Sequence, residues 1–410
     1  MLIDDLRVNF LNFFSLRGHK ILRGGPLVLK DSSDLLFTNS GMVQFKDFFL
    51  GKRESLFPRV ATVQLCLRAG GKHNDFENVG FTTRHHTLFE MLGNFSFGDY
   101  FKKEAILFSW EFLTDVLAIS PKNLCVSVFK NDFVSADIWK KVVGIDSNRI
   151  ILKGDRDNFW SIGDVGLCGS CTEIYYDCGS SFFLNNRFIE LWNIVFLEYN
   201  KINSNTFIKL DKPFVDTGMG LERITSVLSG FFDNYNISIF QSIIDFLDTI
   251  SINKNCINSK RVVADHIRSC VFLIFCGLVP GSSGGNYVLR RILRRAFYHG
   301  KLLGIKNCFL YKLVPIVVNV MGLFYNELLD NVIMIQNIIK DEEEKFSITL
   351  LKGLNILEKY VAKNFYDTLR GDVLFKLHDT FGLPLSFILD VLRDHNLFLD
   401  IDCFKFFLKK

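Results

Sequence analysis

Residues 215–223 read Val-Asp-Thr-Gly-Met-Gly-Leu-Glu-Arg. Gly218 and Gly220 alternate with apolar residues, which suits a strand that a ligand or another backbone approaches closely, and the strand feeds a helix beginning near Glu222. Arg223, behind the glycines, could hold a phosphate through paired donors. A second basic set lies in residues 286–297, Asn-Tyr-Val-Leu-Arg-Arg-Ile-Leu-Arg-Arg-Ala-Phe. There Leu289, Ile292, Leu293, Ala296 and Phe297 recur at helical spacing, which predicts one buried stripe with Arg290, Arg291, Arg294 and Arg295 turned outward. No acid interrupts this run, and Lys301 and Lys306 extend it, so contact with a phosphate backbone is its expected use. Cys168, Cys171 and Cys178 have the spacing of thiolate ligands, but no second Cys-x-x-Cys completes a tetrahedral set. A Gly-rich loop accounts for that segment, and no protein metal site is expected.

These residues call for two kinds of scaffold. Up to about Ser229, helix-like stretches such as 101–116 alternate with short apolar runs such as 124–129 and 189–197, punctuated by Gly and Asp. That pattern predicts an α+β domain, a sheet flanked by helices, over residues 1–238. Beyond about Phe240 the periodicity is almost continuously helical, through 262–276, 287–303, 328–361 and 384–396, which predicts a mainly helical domain over 239–410. The acidic run at Asp341, Glu342, Glu343 and Glu344, followed by Lys345, reads as a solvated helix face. With 410 residues, 49% of them hydrophobic, the chain can bury a substantial core, and a net charge of only +4 confines any nucleic-acid surface to a local patch. The longest apolar stretches fall short of the ~20 residues a bilayer-spanning helix needs, so no membrane span is expected. Ten cysteines without a regular framework, and Asp4 and Asp5 close behind Met1, point to reduced thiols and a cytoplasmic location.

The string Gly-x-Gly-Leu-Glu-Arg ending at Arg223 resembles motif 3 of the class II aminoacyl-tRNA synthetases. Upstream, Arg68-Ala-Gly-Gly-Lys-His-Asn-Asp-Phe76, followed by Arg84-His-His-Thr-Leu-Phe89, resembles their motif 2. The longer text of residues 84–101, together with residues 163–174, 191–196 and Ala264-Asp-His-Ile-Arg-Ser-Cys270, is similar to the alanyl-tRNA synthetase family, from about Val8 to about Phe398. The resemblance implies a class II antiparallel sheet followed by a helical domain that recognises the tRNA acceptor stem. It implies ATP-dependent activation of alanine to alanyl-adenylate and transfer of the alanyl group to the 3′ end of tRNA(Ala). Carboxylate attack on the α-phosphorus builds charge on phosphate oxygens, which fixed guanidiniums stabilise better than a mobile ammonium. By the resemblance, Arg68 and Arg223 clamp ATP, Phe89 offers a flat face to adenine, His73, Gly218 and Gly220 belong to the ATP site, and Mg²⁺ bridges phosphate oxygens. Asp216 accepts the ammonium of alanine, Asn193 positions the substrate and Trp160 limits pocket depth.

The same resemblance assigns tRNA contacts. Lys72 lies in the motif 2 loop, and Asp379 matches the acidic reader of a G·U wobble pair. The amide reader falls within residues 280–286, where Ser282 stands in place of an Asn and Gly285 in place of an Arg, so a shorter hydroxyl replaces a donor–acceptor amide. A pocket sized for one methyl discriminates poorly against glycine and serine, which is why editing sites exist. None of the eight histidines forms the His-x-x-x-His or Cys-x-x-x-His patterns of the family's editing domain, so no in-chain editing site is expected. The missing oligomerisation tail leads to the expectation of a monomer. Retention of Arg68, Asp216 and Arg223 argues against a tRNA-binding relative that has lost its chemistry.

Overall fold

The structure is a computed structural model that describes residues 3–29, 35–70, 73–163, 165–179, 187–203, 206–363 and 368–377, with single positions at 383, 388, 392, 398 and 399. Lys72 and Asp379 lie outside the described residues. The chain divides into two compact units, Met1–Leu67 with Phe89–Ile237, and Arg68–Leu88 with Ser238–Lys410. The excursion Arg68–Leu88 therefore belongs with the second unit. A contiguous reading of the sequence does not reveal this, because Phe76 and Gly80 meet their neighbours, His266 and Val262, far along the chain.

In the first unit, nine strands form one sheet among the described residues. They are β1 (Lys20–Ile21), β2 (Arg59–Leu67), β3 (Leu88–Phe97), β4 (Leu124–Phe129), β5 (Ile150–Lys153), β6 (Phe159–Ser161), β7 (Gly166–Asp177), β8 (Phe188–Asn203) and β9 (Thr206–Gly220). The order is β1-β2-β3-β9-β8-β7-β4-β5, with β6 beside β7. The central pairings β3–β9–β8–β7–β4 are antiparallel, while β1–β2 and β4–β5 are parallel. The expected antiparallel sheet with flanking helices is thus observed.

Alternation along the strands separates the two faces. Trp192, on β8, packs beneath helix α1 (Ile3–Ser15), whose Leu6, Phe10, Phe13 and Phe14 recur at helical spacing and are buried. Phe10 and Phe112 hold ring centroids 5.9 and 5.8 Å from Trp192. Helix α2 (Lys102–Glu111) buries Ala105 and Ile106. On the opposite face Phe95, Cys171, Val195 and Leu197 form a cluster with Phe45 and Phe49, against which Trp160 packs. Helix α3 (Leu221–Leu228) follows β9 directly.

The second unit is built on α4 (Ser238–Ile250), α5 (Ile257–Phe275), α6 (Gly284–Leu302), α7 (Leu310–Met321) and α8 (Val332–Lys363). Helix α5 is buried almost all round, so its polar residues must find partners inside the unit. Leu289, Ile292, Leu293, Ala296 and Phe297 of α6 are buried, as their spacing predicts. The acidic run on α8 departs from expectation, since Glu342 and Glu343 are buried whereas Asp341 and Glu344 are exposed. Glu343 accepts from the backbone N–H groups of Phe309, Leu310 and Tyr311 at the start of α7, and Glu342 pairs with Arg294 at 2.8 Å. An unsatisfied helix N-terminus is a strong enough call on a carboxylate to draw it inward.

Candidate active site

In the first unit the sequence-selected residues gather on one face of three adjacent strands. Asn193 lies opposite Gly218, and Val195 opposite Asp216, across β8 and β9, while Asp216 lies opposite Phe95, and Gly220 opposite Met91, across β9 and β3. Paired residues in an antiparallel sheet share a face, so Asn193, Asp216, Gly218 and Gly220 line it together. Phe89 joins them by parity with Met91 on β3. Trp160, on β6, pairs with Gly169 of β7 and packs against the Phe95–Val195 cluster. Thr217 has the other orientation, and its hydroxyl donates to Asn94 at 2.6 Å.

Gly218 opens this face. A Cβ there would lie 2.8 Å from Met91 Sδ, so any side chain would fill the space between β9 and β3. Two side chains beside the opening have oxygens without protein partners among the described residues. The Asp216 side chain forms no hydrogen bond or ion pair among the described residues, and burial pushes its carboxyl up to about 7 although it keeps some surface. The side-chain oxygen of Asn193 is also buried without a hydrogen-bond partner. A small ligand carrying an ammonium and a further donor would satisfy both.

Arg223, one turn into α3, is half-exposed; its guanidinium donates to the Glu190 carbonyl at 2.9 Å and lies 3.4 Å from the Glu190 carboxylate. This holds the guanidinium at the end of the glycine strand. Glu222 faces inward, accepting from the Glu90 backbone N–H, while Glu90 itself takes a bidentate pair from the buried Arg7. Cys168 and Cys171 are buried, and burial pushes the Cys171 thiol up to about 12 and the Cys168 thiol upward. Such thiols stay protonated, and Cys171 Sγ lies 3.7 Å from the Asp157 carbonyl.

In the second unit the Arg68 backbone N–H donates to the Thr87 carbonyl at 2.8 Å, and its guanidinium lies 4.0 Å from Asp75. His73 pairs through its backbone with Gly70 in a short antiparallel ladder. Sequence reasoning overlooked the hub beneath them. Asp265 is fully buried on α5 and accepts from the Thr87 N–H, the Thr87 hydroxyl, His86 Nδ1 and His266 Nδ1. Burial alone would raise its pKa, but the hydrogen bonds from His266 and His86 hold it well below the usual carboxylate range. An Asp-His pair flanked by Val262, Val263, Ala264 and Ile267 on a helix was the available signal.

The outward arginine face needs correction. Arg295 is fully buried: its guanidinium donates to the Phe76 carbonyl at 2.6 Å and lies 3.2 Å from His266 Nε2. Arg291 pairs with Glu77 at 2.9 Å and Arg294 with Glu342 at 2.8 Å. Arg290 is half-buried, and burial, then the neighbouring Arg294, lowers its pKa. Ser282 is exposed in the loop before α6. Periodicity located the apolar stripe of α6 but not its flank, which is covered by the Arg68–Leu88 excursion.

A family model described as tRNA synthetases class II (A) matches residues 5–410. An alanine–tRNA ligase of Legionella pneumophila (strain Paris) is 47% identical over 411 residues, 98% of this chain and 48% of the relative. An alanine–tRNA ligase of Nitrosomonas europaea is 48% identical over 412 residues, again 98% of this chain and 48% of the relative. The chain thus spans about half the length of the curated relatives it matches.

Proposed function

This chain belongs to the class II tRNA synthetase (A) family, and on that premise we propose that it activates alanine with ATP and transfers the alanyl group to tRNA(Ala). In the first step an alanine carboxylate oxygen bonds to the α-phosphorus of ATP, the bond to the bridging oxygen breaks, and pyrophosphate leaves. In the second, a terminal ribose hydroxyl of the tRNA attacks the adenylate carbonyl, its proton is lost, and AMP departs. No covalent enzyme intermediate is required, so positioning and electrostatic stabilisation supply the catalysis.

The observation that carries this reading is the unpartnered Asp216 carboxylate beside the unpartnered Asn193 oxygen, on a strand face opened by Gly218. Asp216 would take the ammonium of alanine, Asn193 would orient the substrate, and Trp160 would limit the pocket. Arg223 would exchange Glu190 for phosphate oxygens, with Arg68 and His73 as further ATP ligands and Phe89 beneath adenine. Mg²⁺ would neutralise charge on the phosphates, and Glu190, once released by Arg223, is a hard oxygen donor suited to it. Alanine-dependent exchange of pyrophosphate into ATP tests the proposal, and its absence in purified protein would sink it.

For the tRNA we propose contact through Arg290 and Ser282. The Arg290 charge, disfavoured by burial and by Arg294, would be relieved by a phosphate. Arg291, Arg294 and Arg295 already hold protein partners and would contribute less. Lys72 and Asp379 remain candidates by resemblance. Sedimentation checks the oligomeric state.

A further inference from the structure

The excursion Arg68–Leu88 is gripped by α5 and α6 at three places. At its ends, the Arg68 N–H donates to the Thr87 carbonyl at 2.8 Å, so whatever fixes Thr87 fixes the backbone of Arg68. Thr87 is fixed by Asp265, which takes its N–H at 3.0 and 3.1 Å and also its hydroxyl, while Ser269 Oγ lies 2.6 Å from that hydroxyl. In the middle, the Phe76 ring stacks on His266 at 5.1 Å and 15° and lies beneath the guanidiniums of Arg291 and Arg295 at 4.1 and 4.7 Å. The Phe76 carbonyl accepts from Arg295, and Glu77 pairs with Arg291. At the third place, Gly80 adopts φ +87°, and a Cβ there would lie 2.4 Å from Val262 Cγ2.

One side chain joins two of these grips. His266 Nδ1 lies 3.0 Å from Asp265 and His266 Nε2 lies 3.2 Å from the Arg295 guanidinium. Arginine can only donate, so Nε2 accepts and the proton sits on Nδ1, donated to the carboxylate. Burial, and after the opposing Asp265 hydrogen bond the Arg295 charge, lowers the His266 pKa to about 4 and keeps the ring neutral in this role.

We propose that Asp265, His266 and Arg295 form a relay that positions Arg68, so that the helical unit sets the place of one arginine used on ATP. The inference rests on the charging reading given above. It differs from general stabilisation of the fold because the relay ends on the backbone of Arg68 itself. A displacement of about 1 Å in a group acting at the reacting centre can cost roughly 100-fold in rate. A guanidinium on a long side chain gains its accuracy from such a fixed base.

The test uses the full chain with Thr87→Val, Thr87→Ser, Asp265→Asn and Arg68→Ala, read by alanine-dependent pyrophosphate exchange and by hydrogen exchange of the backbone amides. Thr87→Val and Asp265→Asn are expected to lower kcat for exchange roughly 10- to 100-fold, with Thr87→Ser restoring it because the hydroxyl returns. In the Arg68→Ala background, Thr87→Val should add almost nothing, as expected when two residues act through one another. The amides of Arg68 and residues 73–78 should exchange faster in Asp265→Asn while those of β3 and β9 keep their protection. Equal losses from Thr87→Val with and without Arg68, or an Arg68 amide that stays protected in Asp265→Asn, would overturn the relay. Wild-type protein with no pyrophosphate exchange would instead remove the charging reading, and the amide measurement would then decide the relay alone.

Discussion

Asp265 in one unit and Asp216 in the other are opposite in character. Asp265 in the helical unit is saturated by donors from Thr87, His86 and His266, and its carboxyl stays ionised far into acid. Asp216 in the sheet unit has no partner among the described residues, and burial raises its carboxyl to about 7. A carboxylate removed from water needs compensation, and the molecule supplies it internally in one place and leaves it to a ligand in the other. Satisfaction distinguishes an anchor from a binding site where burial alone does not.

The largest effect should come from breaking the anchor. Asp265→Ala strands the Thr87 N–H and the donors of His86 and His266 in the interior and is expected to cost about 3–5 kcal/mol of stability, measured by denaturant unfolding. A loss under 1 kcal/mol would show that the saturated hub is dispensable. Asp216→Asn should do the reverse, raising the KM for alanine in pyrophosphate exchange by about 100-fold while stabilising the unliganded protein at pH 7 by on the order of 2 kcal/mol. An unchanged KM would remove Asp216 from the site and with it the contrast.

Acidity sharpens the comparison. An ammonium binds the ionised form of Asp216, so the KM for alanine should climb as pH falls through about 7, approaching tenfold per pH unit below it. In the unliganded protein the raised folded-state pKa works the other way. The unfolded carboxyl ionises first, so the Asp216 contribution to stability is present at low pH and is lost between roughly pH 4 and 7. His266 has a lowered folded-state pKa, about 4, so its unfolded form takes up the proton first and stability falls as pH drops from roughly 6.5 toward 4. Thermal unfolding of Asp216→Asn across this range should lose the first dependence and keep the second.

Smaller effects are expected at the edges of both regions. Gly218→Ala would press on Met91 Sδ, the far part of a flexible side chain, and should cost a few-fold in alanine KM, partly recovered by Met91→Ala. Glu77→Gln breaks a pair whose side chains are 24% and 41% exposed, and should change stability by less than about 1 kcal/mol in the same unfolding measurement.

Much of the candidate site's geometry was legible before the fold. The alternation of Gly218 and Gly220 with apolar residues marked a strand, Arg223 followed on a helix, and strand parity brings Asn193 and Asp216 to one face. The α6 stripe was equally legible. The fate of Arg295 was not, because the same spacing that buries Leu289 and Phe297 says nothing about what covers the flank between them. Glu343 was misread for a parallel reason, since a solvated acidic run and a cap for a distant helix end have the same local sequence.

The sequence by itself determined the elements, their apolar faces and the order of the chemical groups, because periodicity and turn chemistry act over a few neighbouring residues. Tertiary structure alone decided which charges are used up: Asp265 finds Thr87, Arg295 finds Phe76, and Asp216 is left without a protein donor. Those outcomes depend on partners far apart in the chain and on how much water remains around each group, and local spacing carries neither.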